Sequence, residues 1–195
     1  MTDNLPTAST IAASRERETS AFLRPDEVVQ HLGIRPGMTV ADLGCGAGHF
    51  TIPIARLVGE SGSVFAIDIQ KQAINSIASR ANLEHLMQIE PVWADLETPE
   101  GSHLKADSVD CAIISNILFQ TERKENIMAE AHRIIRPEGH LIILEWDETP
   151  FAVGPAMEIR IPKRFARSLA EGAGFLMEKE FEAGSDHYGL MFRKQ

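Results

Sequence analysis

Val40 to Phe50 reads VADLGCGAGHF. An apolar strand-like run ends at Leu43, and Gly44, Gly46 and Gly48 then alternate ahead of a helical stretch. Glycines at such a junction allow a tight turn and a close approach of backbone to ligand. The following helix N-terminus points free N–H groups at whatever binds there. A plain strand-to-helix turn accounts for the glycines equally well, so the neighbouring residues decide. A dinucleotide fingerprint G-x-G-x-x-G needs glycine where this chain has His49. Asp42, just before Gly44, would repel a pyrophosphate. It suits a ligand carrying an ammonium and a sulfonium and no phosphate, such as S-adenosylmethionine. A structural hydrogen bond from Asp42 to the loop is compatible with that reading.

Outward from this loop, strands and helices alternate. Strand-like runs start at Met38 (MTVADL), Ser63 (SVFAID), Met87 (MQIEPVW), Val109 (VDCAIIS) and His140 (HLIILEW). Ala73, Ile74, Ile77, Ala78 and Ala81 share one helix face, and Ile127, Ala131, Ile134 and Ile135 share another. The second of these helices should stop at Arg136-Pro137-Glu138-Gly139. Such alternation predicts right-handed βαβ units around a parallel sheet, an α/β doubly wound fold. Pro91 cannot donate to a ladder, so the third strand belongs at a sheet edge. After a helix from about Pro162 to Ala173, FLMEKEFEA and HYGLMF flank Gly184-Ser185-Asp186, a hairpin signal that adds an antiparallel strand.

Ligands bind at the carboxyl ends of strands in open α/β sheets. The second strand ends at Asp68, at the roughly 20-residue spacing from the glycine loop that suits a ribose-binding acid. Alone, an acid there also reads as a helix N-cap. Ile69 is placed to pack on an adenine face or in the core. Asp95 with the Leu96 N–H can read the adenine amino edge, and Asp95 equally suits an Asx turn. Asn116 ends the fourth strand, where it can bond the cofactor's amino acid part or the substrate.

Composition sets limits. The 195 residues fit one domain, with 44% apolar and 24% charged residues. A net charge of -9 argues against general nucleic-acid binding. No apolar run approaches the roughly 20 residues of a membrane span, and no secretory leader is legible. The two cysteines, Cys45 and Cys111, form no metal-type spacing, so no metal is expected. A cytoplasmic setting is the simplest expectation.

In order, VADLGCGAGHF, VFAIDIQ, ADLE, SVDCAIISNILFQ and RIIRPEGHLIILEW resemble the motifs of class I S-adenosylmethionine-dependent methyltransferases. The resemblance runs from about Val28 to Phe192. It is closest to the small type 11 enzymes grouped with the ubiquinone and menaquinone C-methylating kind. It implies strand order 3-2-1-4-5-7-6 with strand 7 antiparallel and helices on both faces. It also implies S-adenosyl-L-methionine as cofactor and S-adenosyl-L-homocysteine as product. The implied cofactor contacts are Asp42, Gly44, Cys45, Gly46, Gly48, Asp68, Ile69, Asp95, Leu96 and Asn116. Several subclasses do not fit. The fourth strand lacks Asn-Pro-Pro-aromatic, no Pro-Cys nucleophile is present, and two cysteines cannot supply an arsenite-type set.

The expected activity is direct methyl displacement onto a small-molecule acceptor. Such a reaction needs orientation and dryness more than a fixed catalytic dyad. A cofactor-holding module without transfer is the rival reading; His49 and Asp42 disfavour an oxidoreductase. The terminal hairpin should lie on the same rim as the end of the fifth strand. His187, Tyr188 and Asp147 are therefore the catalytic candidates, beside Glu145 and Asn116, although a surface hairpin with half-buried rings fits His187 and Tyr188 as well. Residues 25–195 are expected to form the domain and residues 1–24 a flexible segment. Within that segment Arg15 to Arg24 is a lid or a solvated linker, and the loop from Asp147 to Ile161 helps cover the acceptor. Two-fold assemblies are commonest, so a homodimer is the expectation for oligomeric state.

Overall fold

The structure, a computed structural model, describes residues 23–149 and 154–195. Most of the proposed lid and part of the Asp147–Ile161 loop lie outside the described residues.

Pro25 starts a short helix α1 (Pro25–Val28), with Asp26 and Glu27 in its first turn. Proline suits that position because the N–H it lacks would have no helical partner. There follow β1 (Thr39–Leu43), α2 (Thr51–Val58), β2 (Ser63–Asp68), α3 (Lys71–Leu83) and β3 (Ile89–Trp93). Then come β4 (Val109–Ser115), α4 (Lys124–Ile134), β5 (Ile135–Trp146), α5 (Lys163–Gly172), β6 (Phe175–Glu182) and β7 (His187–Lys194). The seven-stranded sheet has the order β3-β2-β1-β4-β5-β7-β6. Strands β1 to β5 pair in parallel, while β7 runs antiparallel to both β5 and β6. The expected order, the antiparallel strand and the edge position of Pro91 are all present.

Two apolar layers sandwich the sheet. One gathers Leu43, Ile114, Ile127, Phe175 and Phe192; the other gathers Val40, Ile54, Ile77, Ile113 and Leu144. Consecutive residues Ile113 and Ile114 thus serve opposite layers, as the period of two requires. Both are fully buried, each contributing about 1.5–3 kcal/mol of apolar burial. On α3 the predicted face is the buried one, with Ile77 and Ala81 inward.

One boundary differs from the sequence reading. The breaker Arg136-Pro137-Glu138-Gly139 does end α4, but those residues already belong to β5. Ile135, read on the helix face, pairs with Val109, and the register shifts before Cys111 meets His140. Glu138 takes a left-handed φ of 65° in this irregularity. A Cβ on Gly139 would press on the Asp110 carbonyl, so glycine is needed for the close strand approach.

Candidate active site

Because β1 pairs with β2 on one side and β4 on the other, the chain order reverses at β1. The loops beyond the strands' carboxyl ends part there and leave a crevice. A cavity of about 560 Å³ fills it, bounded by the glycine loop, the ends of β2 to β5, and the start of β7.

The glycine loop is built from backbone bonds. Gly44 and Cys45 donate N–H groups to the Ile67 carbonyl at 2.8 and 3.0 Å. Gly44, Gly46 and Gly48 all have left-handed φ, at 81°, 50° and 79°. Their reasons differ. A Cβ on Gly44 would strike Ile117, and one on Gly48 would strike Ile77, so these two serve packing. A Cβ on Gly46 would meet nothing within 4 Å and would enter the cavity. Gly46 is therefore the position where backbone is bared to a ligand.

Asp68 shapes the same loop. Its Oδ2 accepts the Gly46 N–H at 2.9 Å and its Oδ1 accepts the Gln70 N–H at 2.8 Å. Each oxygen keeps a second acceptor site for a ligand hydroxyl. Asp42 is buried and accepts the Thr51 hydroxyl at 2.5 Å. Burial raises its pKa to about 6; the Thr51 bond opposes this and the nearby Asp68 charge adds to it. A ligand cation beside Asp42 would favour the ionised form. Cys45 also lines the cavity, and burial pushes the pKa of its thiol up, so the thiol is neutral.

On the far side, Ile69 is 59% exposed and free to lie against a flat ring. Asp95 forms the Asx turn, its Oδ1 accepting the Glu97 N–H at 2.9 Å, and it lines the cavity together with Leu96. Glu97 in turn accepts N–H groups of Glu122 and Arg123 ahead of α4, fixing the loop. Asn116 sits at a left-handed φ of 57°, with its N–H on the Leu144 carbonyl. Every residue expected to hold the cofactor thus lines one cavity, except Gly48, which acts from behind it.

The hairpin residues divide. His187 opposes Trp146 across the β5–β7 pair and lines the cavity. Burial lowers its pKa; the hydrogen bond and charge of Asp186 oppose that shift. Tyr188, one residue on, points to the other face of the sheet. It is 2% exposed, and its hydroxyl donates to the Ile161 carbonyl at 2.8 Å. The expectation of Tyr188 as a catalytic candidate in the site is corrected by that alternation. Asp147 also stands outside the cavity lining, its Oδ1 accepting the Thr149 N–H and hydroxyl at 2.9 and 2.5 Å. Glu145 shares the Tyr188 face, is fully buried, and accepts the Leu118 N–H at 2.8 Å. Burial raises its pKa to about 8, so near neutrality it is a protonated core group, not a rim carboxylate.

Two contributors had no assigned role from sequence. Asp186 was legible only as a turn residue, and Trp146 only as a strand end. Their convergence on His187 depends on β7 lying beside β5. Leu23 and Pro25 also line the cavity, so the N-terminal segment enters it at least that far.

Among the described residues no Lys or Arg lines the cavity, whereas Asp42, Asp68, Asp95, Glu97 and Asp186 do. That set of acceptors suits a ligand with cationic centres and hydroxyls and is a poor host for a phosphate. With the open backbone at Gly46, it fits S-adenosylmethionine. Residues 34–183 match the family described as "Methyltransferase domain". The chain belongs to that methyltransferase family. Its type is the class I, S-adenosylmethionine-dependent one, in agreement with the motifs and sheet order above. Among curated relatives, the "Ubiquinone/menaquinone biosynthesis C-methyltransferase UbiE" of Erwinia tasmaniensis is 30% identical over 146 residues. That stretch covers 73% of this chain and 57% of the relative. The chain spans about half the length of the curated relatives it matches. Among solved structures, a "SAM dependent methyltransferase" from Aquifex aeolicus superposes with a TM-score of 0.81 at 24% identity, covering 93% of this chain and 98% of that one. The "[4+2]-Cyclase SpnF" superposes with a TM-score of 0.73 at 14% identity over 98% of this chain and 84% of that one. A protein named for a different reaction therefore shares the methyltransferase fold, and chemistry has to be argued from the site.

Proposed function

We propose that this protein methylates a small-molecule acceptor, with S-adenosylmethionine as donor and His187 as the group that takes the acceptor's proton. One observation carries the reading: a single cavity joins the glycine loop to His187. Asp42 and Asn116 would hold the amino acid end of the cofactor, Asp68 the ribose, and Asp95, Leu96 and Ile69 the adenine. When bound, the cofactor supplies a methyl group already activated on a sulfonium.

The chain's own contribution is then orientation, exclusion of water and proton handling. Fixed positioning of two reactants is worth up to ~7–11 kcal/mol of barrier. Trp146 and Ile117 give the acceptor side an apolar wall, and Gln120 and Thr121 give it polar edges. The cavity's negative lining favours neutral or cationic acceptors over acids and phosphates. Glycine-loop closure is not needed, because Gly46 is already open. The relatives named for quinone C-methylation make phenolic quinone precursors one class worth including, beside simple phenols, amines and thiols.

Two measurements test this. Calorimetry with S-adenosylhomocysteine should show one site per chain that Asp68→Ala weakens. A mass-spectrometric screen over those acceptor classes should then give a product heavier by one methylene. Cofactor binding with no methylated product across the panel would favour a holding module over an enzyme.

A further inference from the structure

Methyl transfer does not by itself require a buried histidine, yet this cavity holds one with a partner on each nitrogen. His187 Nδ1 lies 3.0 Å from Asp186 Oδ1, and Nε2 lies 3.1 Å from Asn116 Oδ1. All three residues line the cavity, and Asp186 and His187 are only 3% and 5% exposed. The imidazole packs on Trp146 with ring centroids 4.2 Å apart. Behind Trp146 the Arg160 guanidinium sits 5.5 Å from the indole centroid, held by the carbonyls of Asp147, Thr149 and Pro155. The Asp147 N–H donates to the Asp186 carbonyl at 2.9 Å, tying the hairpin to the end of β5. The ring is thus gripped by β7, β5 and the segment leading to α5.

The chemistry of the partners sets the proton. An ionised carboxylate only accepts, so Nδ1 carries the hydrogen. A neutral imidazole has one N–H, which leaves a lone pair on Nε2. Asn116 can meet that lone pair with its NH₂ end after a half-turn of the amide, and an acceptor group entering the cavity can take its place.

We propose that Asp186 is a positioning residue that fixes His187 as the Nδ1-protonated neutral imidazole, making Nε2 the atom that receives a proton from an acceptor hydroxyl or amine. The proposal rests on reading the cavity as a methyl-transfer site. In the step, the acceptor's O–H or N–H bond breaks and an Nε2–H bond forms. The electron pair stays on the acceptor oxygen or nitrogen, and the new imidazolium charge faces Asp186. The charged groups around the ring are Asp186, Asp147 and Arg160. Burial keeps the resting ring neutral, while Asp186 stabilises the cation once formed. A thiol, with an ordinary pKa of about 8.5, ionises more readily near neutral pH than a hydroxyl and has less need of such a device. The acceptor class it points to is therefore a weakly acidic hydroxyl or an amine.

The test is nitrogen NMR of the full chain labelled on histidine, at pH 7, with and without S-adenosylhomocysteine. The expected spectrum has His187 protonated on Nδ1 and bare on Nε2. Asp186→Asn, which can donate as well as accept, should admit the Nε2-protonated form, and Asp186→Glu should restore the original. Protonation at Nε2 in the unaltered protein, or a spectrum indifferent to Asp186→Asn, would overturn the proposal. The unaltered protein alone decides the tautomer, so an unstable variant does not block the answer. S-adenosylhomocysteine binding measured on the same sample separates the two readings. The predicted tautomer without binding would count against methyl transfer only, and binding with the wrong tautomer would count against Asp186 only.

Discussion

Replacing Gly46 by valine separates ligand recognition from folding. Gly46 has a φ of +50°, and a Cβ there would meet no heavy atom within 4 Å. The folded protein therefore bears backbone strain without a clash. A left-handed conformation costs an L-residue about 1–2 kcal/mol, which for a chain of this size lowers Tm by roughly 2–8 °C. The added carbons would stand in the cavity, where backbone is otherwise bared. Loss of S-adenosylhomocysteine affinity should exceed a hundredfold, roughly 2.8 kcal/mol at 1.4 kcal/mol per factor of ten. Gly33→Val is the matched control. Its φ is +74°, it also meets nothing within 4 Å, and it lies outside the cavity. That variant should lose similar stability and keep full affinity. Gly48→Ala should do the opposite of Gly46→Val in emphasis, because its Cβ would strike Ile77 in the core. The assays are thermal denaturation and titration calorimetry. Undiminished affinity in Gly46→Val would refute the assignment of this loop as the cofactor cradle.

Three other outcomes follow from the geometry. Asp68→Ala removes the acceptor of the Gly46 and Gln70 N–H groups and should weaken S-adenosylhomocysteine binding by about 1.5–3 kcal/mol; an unchanged calorimetric affinity would rule out a ribose-side role. His187→Ala should lower turnover at least tenfold with cofactor affinity within twofold, whereas Tyr188→Phe should leave turnover intact and cost about 1 kcal/mol of stability for its lost bond to Ile161; equal turnover losses in both variants would contradict the opposite facing of the two side chains. Glu145→Gln tests a buried acid whose pKa rises from 4.5 to about 8 on folding. Between those values the native state holds a proton that the unfolded state has lost, so wild-type stability falls as pH rises through the window. The glutamine variant lacks this penalty. Its denaturation midpoint should gain on wild type from about pH 4.5 to pH 8 and then hold a constant lead; parallel curves across that range would show Glu145 titrating normally.

The family resemblance implied the strand order; the alternation of apolar runs and breakers was enough to read the α/β class and the place of the crevice. Those features depend on local periodicity and on connection rules that few chains escape. Asp42, Gly46, Asp68 and Asp95 were legible for a related reason: each stands at a strand end, and in a doubly wound sheet the strand ends converge. What the sequence left open was which residue of a pair faces the site. His187 and Tyr188 are neighbours, and only the register of β7 against β5 turns the first into the cavity and the second into the core. Glu145 looked like a rim acid because burial cannot be read from a strand end alone; packing on the Leu118 side made it a neutral core group. Asn116 and His187, which touch, are 71 residues apart along the chain, with Trp146 between them and Asp186 next to the histidine. Their meeting around one imidazole is a product of strand pairing. The sequence by itself thus determined the fold class through short-range pattern, and its motifs, by resemblance, implied the strand order and the residues expected to hold the cofactor. The surroundings of His187 were decided only by tertiary structure, because side-chain facing and burial are set by which strands become neighbours.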